Sequence, residues 1–209
     1  MKQKHFIDSH KGATSLACLA MMYHWNQWDN PTAWVYLALH GTYGLLWVLK
    51  SRLFGDRNWE KPCSIGYGLT IWGALTLYWV GPYLICSQGY EAPFWWLGLC
   101  IASFNMGVFF HFTSDMQKHT KLKLQPGLLS EGLWSKLRNP NYFGELLIYL
   151  GFSAIPVAAL YGWIPLAALA LMISFVWIPN MRRKDKSLSR HPGWDTYKKN
   201  SWCFLPLVW

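Results

Sequence analysis

Six stretches of this chain are apolar for about the length of a bilayer crossing, and that pattern leaves room for little except a helical membrane fold. A bilayer core holds no water to satisfy exposed backbone groups. A spanning segment therefore closes its hydrogen bonds internally, as a helix of about 20 mainly apolar residues. The stretches run from His10 to Trp28, Thr32 to Lys50, Ile65 to Cys86, Phe94 to Phe112, Tyr142 to Ala159 and Tyr161 to Pro179. The last two predict a tight helical hairpin. The first carries or borders His10, His24 and Asn26, so a helix lying in the interface is its alternative reading. Composition agrees, with 53% hydrophobic residues, 14% charged residues and 15 Trp. No repeat, low-complexity tract or long linker interrupts the chain. The expected fold class is all-α, a polytopic integral membrane protein of about six transmembrane helices, built as a single domain over residues 1–209.

Charge predicts the orientation, because the loops richer in Lys and Arg stay cytoplasmic. All 19 Lys and Arg lie in four segments: up to Lys11, Lys50 to Lys61, Lys118 to Arg138, and Arg182 to Lys199. The loops between carry Asp29 and Glu91 alone. Both termini are then expected in the cytoplasm, with the formal net charge of +9 gathered on one face. Topology explains most of that charge, and the rest suits an anionic cofactor or membrane lipids. A nucleic-acid partner is not expected, since the aromatic residues lie in the spans and not among the charges. The five cysteines form no Cys-x-x-Cys pair, so neither a metal site nor a disulfide framework is expected. The polar start, with Lys2, Lys4, His5 and Asp8, does not read as a cleavable signal peptide.

The segment from Arg138 to Glu145 reads as a helix entry that carries chemistry. Asn139 suits an N-cap and Pro140 the first helical position, where its missing N–H is not needed. Asn141, Glu145 and Tyr149 are spaced by four and share a face, while Gly144 and Gly151 permit close backbone approach. At the end of the preceding span His111, Asp115, Lys118 and His119 recur at three- and four-residue spacing. Two helix ends can thus converge on one polar pocket. A carboxylate at bilayer level is costly enough to suggest a function. The alternative is a packing network in which Glu145 pairs with an Arg or Tyr of a neighbouring helix.

These residues also carry a family resemblance. Asp115-x-Gln117-Lys118, Pro126-Gly127, Gly132-Leu133-Trp134 and Arg138-x-Pro140-Asn141-Tyr142-Phe143-Gly144-Glu145 resemble the C-terminal catalytic region of the steroid 5α-reductase superfamily. That superfamily includes sterol and enoyl-CoA reductases and short bacterial members. The tail from Arg182 to Leu188, His191-Pro192-Gly193-Trp194-Asp195-x-Tyr197 and Phe204-Leu205-Pro206 is similar to its closing segment. The resemblance spans Phe104 to the end and implies a substrate-side half, residues 1–103, and a cofactor-binding half, residues 104–209. It implies NADPH held on the cytoplasmic side and hydride delivered to the conjugated C=C bond of a hydrophobic enone or enoyl substrate. By position, Asp115, Arg138, Asn141, Tyr142 and Glu145 would border the cofactor, with Arg182, Arg183 and Tyr197 closing the pocket; His111 and Lys118 join the expected cofactor-binding set through their spacing with Asp115. Guanidinium groups pair well with phosphates, and amides and carboxylates with ribose and nicotinamide.

Such a reductase needs an acid near the substrate oxygen as hydride arrives. His40 and Tyr43 lie about one turn apart in the second span and are the candidates, with Glu145 as a third catalytic residue; interhelical hydrogen bonding is the alternative role for the pair. Glu60 is a further acid, placed by the pattern in a cytoplasmic loop. The Arg-x-Pro-x-Tyr-x-Gly turn also resembles membrane methyltransferases that use S-adenosylmethionine, although their Glu-Glu pair is replaced here by Lys184-Asp185-Lys186-Ser187. A non-catalytic lipid-binding protein is a third possibility. Most Trp residues fall at predicted span ends, as interfacial anchors do; Trp47 and Trp72 are candidates for lining a substrate cavity.

Overall fold

Helix punctuation in this chain is local. Asn30 accepts hydrogen bonds from the amides of Thr32 and Ala33 through its side chain, with Pro31 as first helical residue, and Ser64 does the same for Tyr67. Gly89 supplies the left-handed residue that ends a helix, at φ 59°. In the computed structural model, which describes residues 1–208, the elements are α1 (Gln3–His24), α2 (Pro31–Tyr36), a π-helical turn (Leu37–Gly41), α3 (Thr42–Phe54), a 3₁₀ turn (Arg57–Glu60), α4 (Ile65–Thr76) and α5 (Val80–Gln88). There follow α6 (Phe94–Leu124), α7 (Pro140–Ser153), α8 (Ile164–Met172), a second π turn (Ile173–Trp177), α9 (Ile178–Leu188) and α10 (Trp194–Lys199). No strand occurs among the described residues; Lys2 with Pro62 and Leu137 with Trp202 form isolated bridges. The fold class is all-helical, as the apolar pattern requires.

Among the described residues, three helical runs are long and apolar enough to cross a membrane: Ile65–Gln88, Phe94–Leu124 and Ile164–Leu188. Several boundaries differ from expectation. The first helix starts at Gln3 and not at His10, because Phe6 and Ile7 are buried and extend its apolar face toward the N-terminus. The fourth runs on to Leu124, not Phe112. Its 31 residues make about 46 Å, which outreaches a hydrocarbon core of about 30 Å by roughly three turns. The fifth ends at Ser153, 14 residues from its start and about 21 Å long, and the chain turns over residues 154–163 where a tight hairpin was expected. The sixth continues past Pro179 and carries the basic run Arg182 to Lys186 as helix.

The chain divides into two compact units. One comprises residues 1–104 and 150–168, the other residues 105–149 and 169–209. In the first, α1 lies against α3, α4 and α5, and its core holds Tyr36, Tyr43, Tyr78, Ile85 and Phe152. Gly44 lets α3 approach α1 so closely that a Cβ there would collide with the Lys11 carbonyl. Trp47 lies buried under two ammonium groups, with Lys11 Nζ 4.6 Å and Lys50 Nζ 4.7 Å from its ring. Trp72 meets His10 edge-on at 4.9 Å. The second unit holds the later part of α6, the first part of α7, the second π turn, α9, α10 and the tail.

Candidate functional site

The second unit is organised around a close crossing of α6 and α7. A Cβ at Gly107 would lie 2.6 Å from both the Gly144 carbonyl oxygen and the Ile148 nitrogen, and one at Gly144 would collide with the His111 backbone. Small residues permit that approach and so fix which side chains meet. His111, 2% exposed, places Nδ1 at 3.0 Å from the Asn141 carbonyl oxygen. A carbonyl only accepts, so Nδ1 carries the proton and donates. Asp115 lies one turn further along α6 and is also buried. Asn141 is half-buried, and its side-chain oxygen Oδ1 is buried with no hydrogen-bond partner among the described residues. Glu145 is half-buried one turn later on α7, and Tyr142 and Tyr149 flank Trp177 with ring centroids 5.5 and 6.0 Å away.

Next to the start of α7, a clasp ties the loop to the C-terminal tail. Arg138, 7% exposed, donates from Nε to Asp185 Oδ2 at 3.3 Å, and from Nη1 to the carbonyls of Ser201 at 2.5 Å and Lys198 at 3.3 Å. Its guanidinium also lies 5.9 Å from the Trp194 ring centroid. Lys184 Nζ donates to the Arg138 carbonyl at 2.6 Å and to Asn139 Oδ1 at 2.8 Å, above the Trp134 ring. Asn139 Nδ2 donates to the Cys203 carbonyl at 2.8 Å. Asn139 thus stands at the position expected of an N-cap, while its side chain faces Lys184 and the tail. Backbone bonds complete the join, from Arg138 N to the Trp202 carbonyl at 2.8 Å and from Trp202 N to the Lys136 carbonyl at 2.9 Å.

Tyr197 closes the same clasp from α10, donating its hydroxyl to the Trp134 carbonyl at 2.5 Å. Burial pushes its phenol well above the ordinary range, so the hydroxyl stays protonated and donating. Burial likewise pushes the Cys203 thiol up and keeps it neutral. Trp134 in turn donates from its indole to the Ser114 carbonyl at 3.1 Å. Gln117 holds the loop before Trp134 with both ends of its amide: Nε2 donates to the Glu131 carbonyl at 3.0 Å, and Oε1 accepts from Leu133 N at 3.2 Å. Gly132, at φ 57°, lies so near that amide that a Cβ would overlap it.

The predicted residues therefore fall into four sets, with Glu60 apart from them. His111, Asp115, Lys118, Asn141, Tyr142 and Glu145 share the α6 and α7 region of the second unit, with Lys118 half-buried. Arg138 and Tyr197 belong to the clasp. Arg182 and Arg183 are exposed on α9, where Arg183 bonds Asn180 one turn back. His40 and Tyr43 belong to the first unit. There His40, 5% exposed, stacks on Phe152 at 4.1 Å and lies with Nδ1 at 3.0 Å from the Tyr36 hydroxyl, which donates onward to the Tyr78 carbonyl at 2.8 Å. Lys11 Nζ sits 4.1 Å from the Tyr43 ring centroid. Glu60 is in a 3₁₀ turn and pairs with Lys2 at 2.8 Å and Lys4 at 2.5 Å.

Lys184 and Asp185 were missing from the expected set, although the sequence holds a signal for them. They follow the buried Met181 at three and four residues, which puts them on its face of α9, while Arg182 and Arg183 turn outward. Read by charge alone, the run looks uniform; read by helical period, it separates into inner and outer residues.

No curated protein matches the sequence. A family model described as "Protein of unknown function (DUF1295)" matches residues 2–201. The match takes in the helices of both units and the clasp as far as Ser201, and by it the chain belongs to the DUF1295 family.

Proposed function

We propose that this chain is an integral membrane reductase of about six spans, with both termini cytoplasmic, that binds NADPH from the cytoplasmic side and reduces the conjugated C=C bond of a hydrophobic enone or enoyl substrate. The observation that carries this reading is the α6 and α7 polar cluster, where Asn141, whose backbone carbonyl accepts from His111, keeps a buried Oδ1 with no partner among the described residues, and Glu145 follows one turn on. A buried acceptor without a donor is costly, roughly 1–3 kcal/mol, and a carboxamide N–H from a nicotinamide is one group that would satisfy it. The donor set fits the rest of the nucleotide. Lys118, Arg182 and Arg183 are accessible cations suited to phosphates, and Asp115 and Glu145 can accept from ribose hydroxyls. Bound there, NADPH would supply the hydride. The clasp residues, Arg138 and Tyr197 among them, would hold the cluster in place without touching the nucleotide. His40 and Tyr43, the acid candidates that the sequence offers, belong to the first unit. The similarity to steroid 5α-reductases from Phe104 onward supports the same chemistry.

The test is ligand-dependent thermal stabilisation of the detergent-purified protein with NADPH, NADH, S-adenosylmethionine and S-adenosylhomocysteine, since a ligand of the folded state raises its stability by about 2.7 kcal/mol at 100 times its Kd. A selective shift with NADPH supports the reductase. A selective shift with the adenosyl ligands replaces it with a methyltransferase, and no shift with any of them favours a non-catalytic membrane protein. Once an enone substrate is turned over, Glu145→Gln should lower kcat by about tenfold or more with little change in melting temperature. Unchanged turnover in that variant removes Glu145 from the chemistry.

A further inference from the structure

The first unit contains a cleft of ≈ 840 Å³ that the reductase reading does not use. It lies between the start of α1, the end of α3 and the 3₁₀ turn, and it adjoins a second hollow with which it shares Lys4, Asp8, Ser51, Gly55 and Glu60. Among the described residues, the two hollows are lined by three cations, Lys4, Lys50 and Arg52, three carboxylates, Asp8, Asp56 and Glu60, and the imidazole of His5. Lys4 and Glu60 neutralise one another. A lining so balanced does not select a simple anion; it suits a ligand that carries both charges.

Asp8 gives the cation side its chemistry. Its Oδ2 accepts from the Ser51 hydroxyl at 2.8 Å, while its Oδ1 is buried and has no partner among the described residues. That oxygen can accept a hydrogen bond, which a primary ammonium can donate and a quaternary ammonium cannot. Arg52, exposed at the rim, offers the phosphate side a fork of donors. The surroundings indicate where such a ligand comes from. Leu45, Leu49 and Leu53 form an i, i+4 stripe on α3, each more than half exposed, and the stripe runs alongside the cleft-lining Val48, Ser51 and Arg52. On the six-span reading proposed above, on which this inference rests, α3 lies in the membrane and exposed leucines there face acyl chains. We propose that the cleft seats the headgroup of a phospholipid with a primary ammonium, a phosphoethanolamine, with the ammonium at Asp8, the phosphate at Arg52 and an acyl chain along Leu45, Leu49 and Leu53.

Short-chain diacyl phospholipids bearing ethanolamine, choline or glycerol headgroups, titrated into the detergent-purified full chain, test this through the melting temperature. Half-maximal stabilisation should require about tenfold less of the ethanolamine lipid than of the other two. Asp8→Asn should abolish that preference, and Ser51→Ala, which leaves the carboxylate in place, should keep it. Equal shifts for all three lipids, or a preference that survives in Asp8→Asn, overturn the proposal. Should Asp8→Asn not fold, Arg52→Gln at the exposed rim decides: it should weaken all three lipids together, and unchanged binding overturns the site. Glycerophosphoethanolamine, which lacks acyl chains, should act only at far higher concentration; equal potency would overturn the lipid as the source.

Discussion

Arg138 shows how far a residue's surroundings alter what its type suggests. A guanidinium before a helix start reads as a phosphate ligand, but here Nε and Nη1 face Asp185 and the carbonyls of Lys198 and Ser201. The first effect of Arg138→Ala should therefore be on folding: it strands a half-buried carboxylate and two carbonyls, at a cost of roughly 2–4 kcal/mol. Thermal unfolding checks this, and Arg138→Lys should recover little, because one ammonium cannot replace a planar fork. Wild-type stability in the alanine variant would mean the clasp carries no weight. Glu60 supplies a pH test. Hydrogen bonds from Lys2 and then Lys4 hold its carboxyl at about 2 instead of 4.5. Its contribution is complete above the ordinary value and is lost as pH falls from about 4.5 through about 2. The amides of Gln3 and Cys63, bonded to the Lys61 and Met1 carbonyls, should lose hydrogen-exchange protection over that window. In Glu60→Gln they should be less protected already at neutral pH.

Among the elements, the α6 and α7 crossing is the most sensitive. Gly144→Ala sets a methyl group against the His111 backbone, and backbone cannot swing away as a long side chain can. The substitution should cost roughly 1–3 kcal/mol and perturb the Asn141 carbonyl bond to His111, measurable as a lower melting temperature and a displaced imidazole resonance. Gly66, by contrast, has open space at its Cβ position, so Gly66→Ala should leave stability near the wild type. A helix start is a local event, and Pro140 marked α7 without help from the fold. Helix ends depend on what lies beside them: α6 continues twelve residues past the apolar run, and Ser114 and Asp115 are buried in the first turn of that extension. The π turns at Leu37–Gly41 and Ile173–Trp177 are not legible in the sequence, since the register shift of an extra residue shows only against a two-faced pattern and these stretches are mostly apolar.

For the molecule as a whole, the proposed six-span topology makes a separate prediction. With Cys63 replaced by Ser, single cysteines at Asp29 or Glu91 should react with an impermeant thiol reagent applied to the non-cytoplasmic side, while one at Lys123 should not; the reverse pattern would invert the orientation. The sequence by itself determined that the chain is helical and suited to a membrane, because apolar length and charge segregation act through the bilayer and need no partner in the fold. It determined the start of α7 and the face shared by Asn141 and Glu145, since capping and the helical period are local. Only the tertiary structure decided that Arg138 turns to the tail, that Lys184 and Asp185 face inward while Arg182 and Arg183 do not, and that Asp8 meets Ser51 across 43 residues of chain. Those outcomes depend on which groups lie within about 3 Å of one another, and that distance is set by packing between segments remote in sequence.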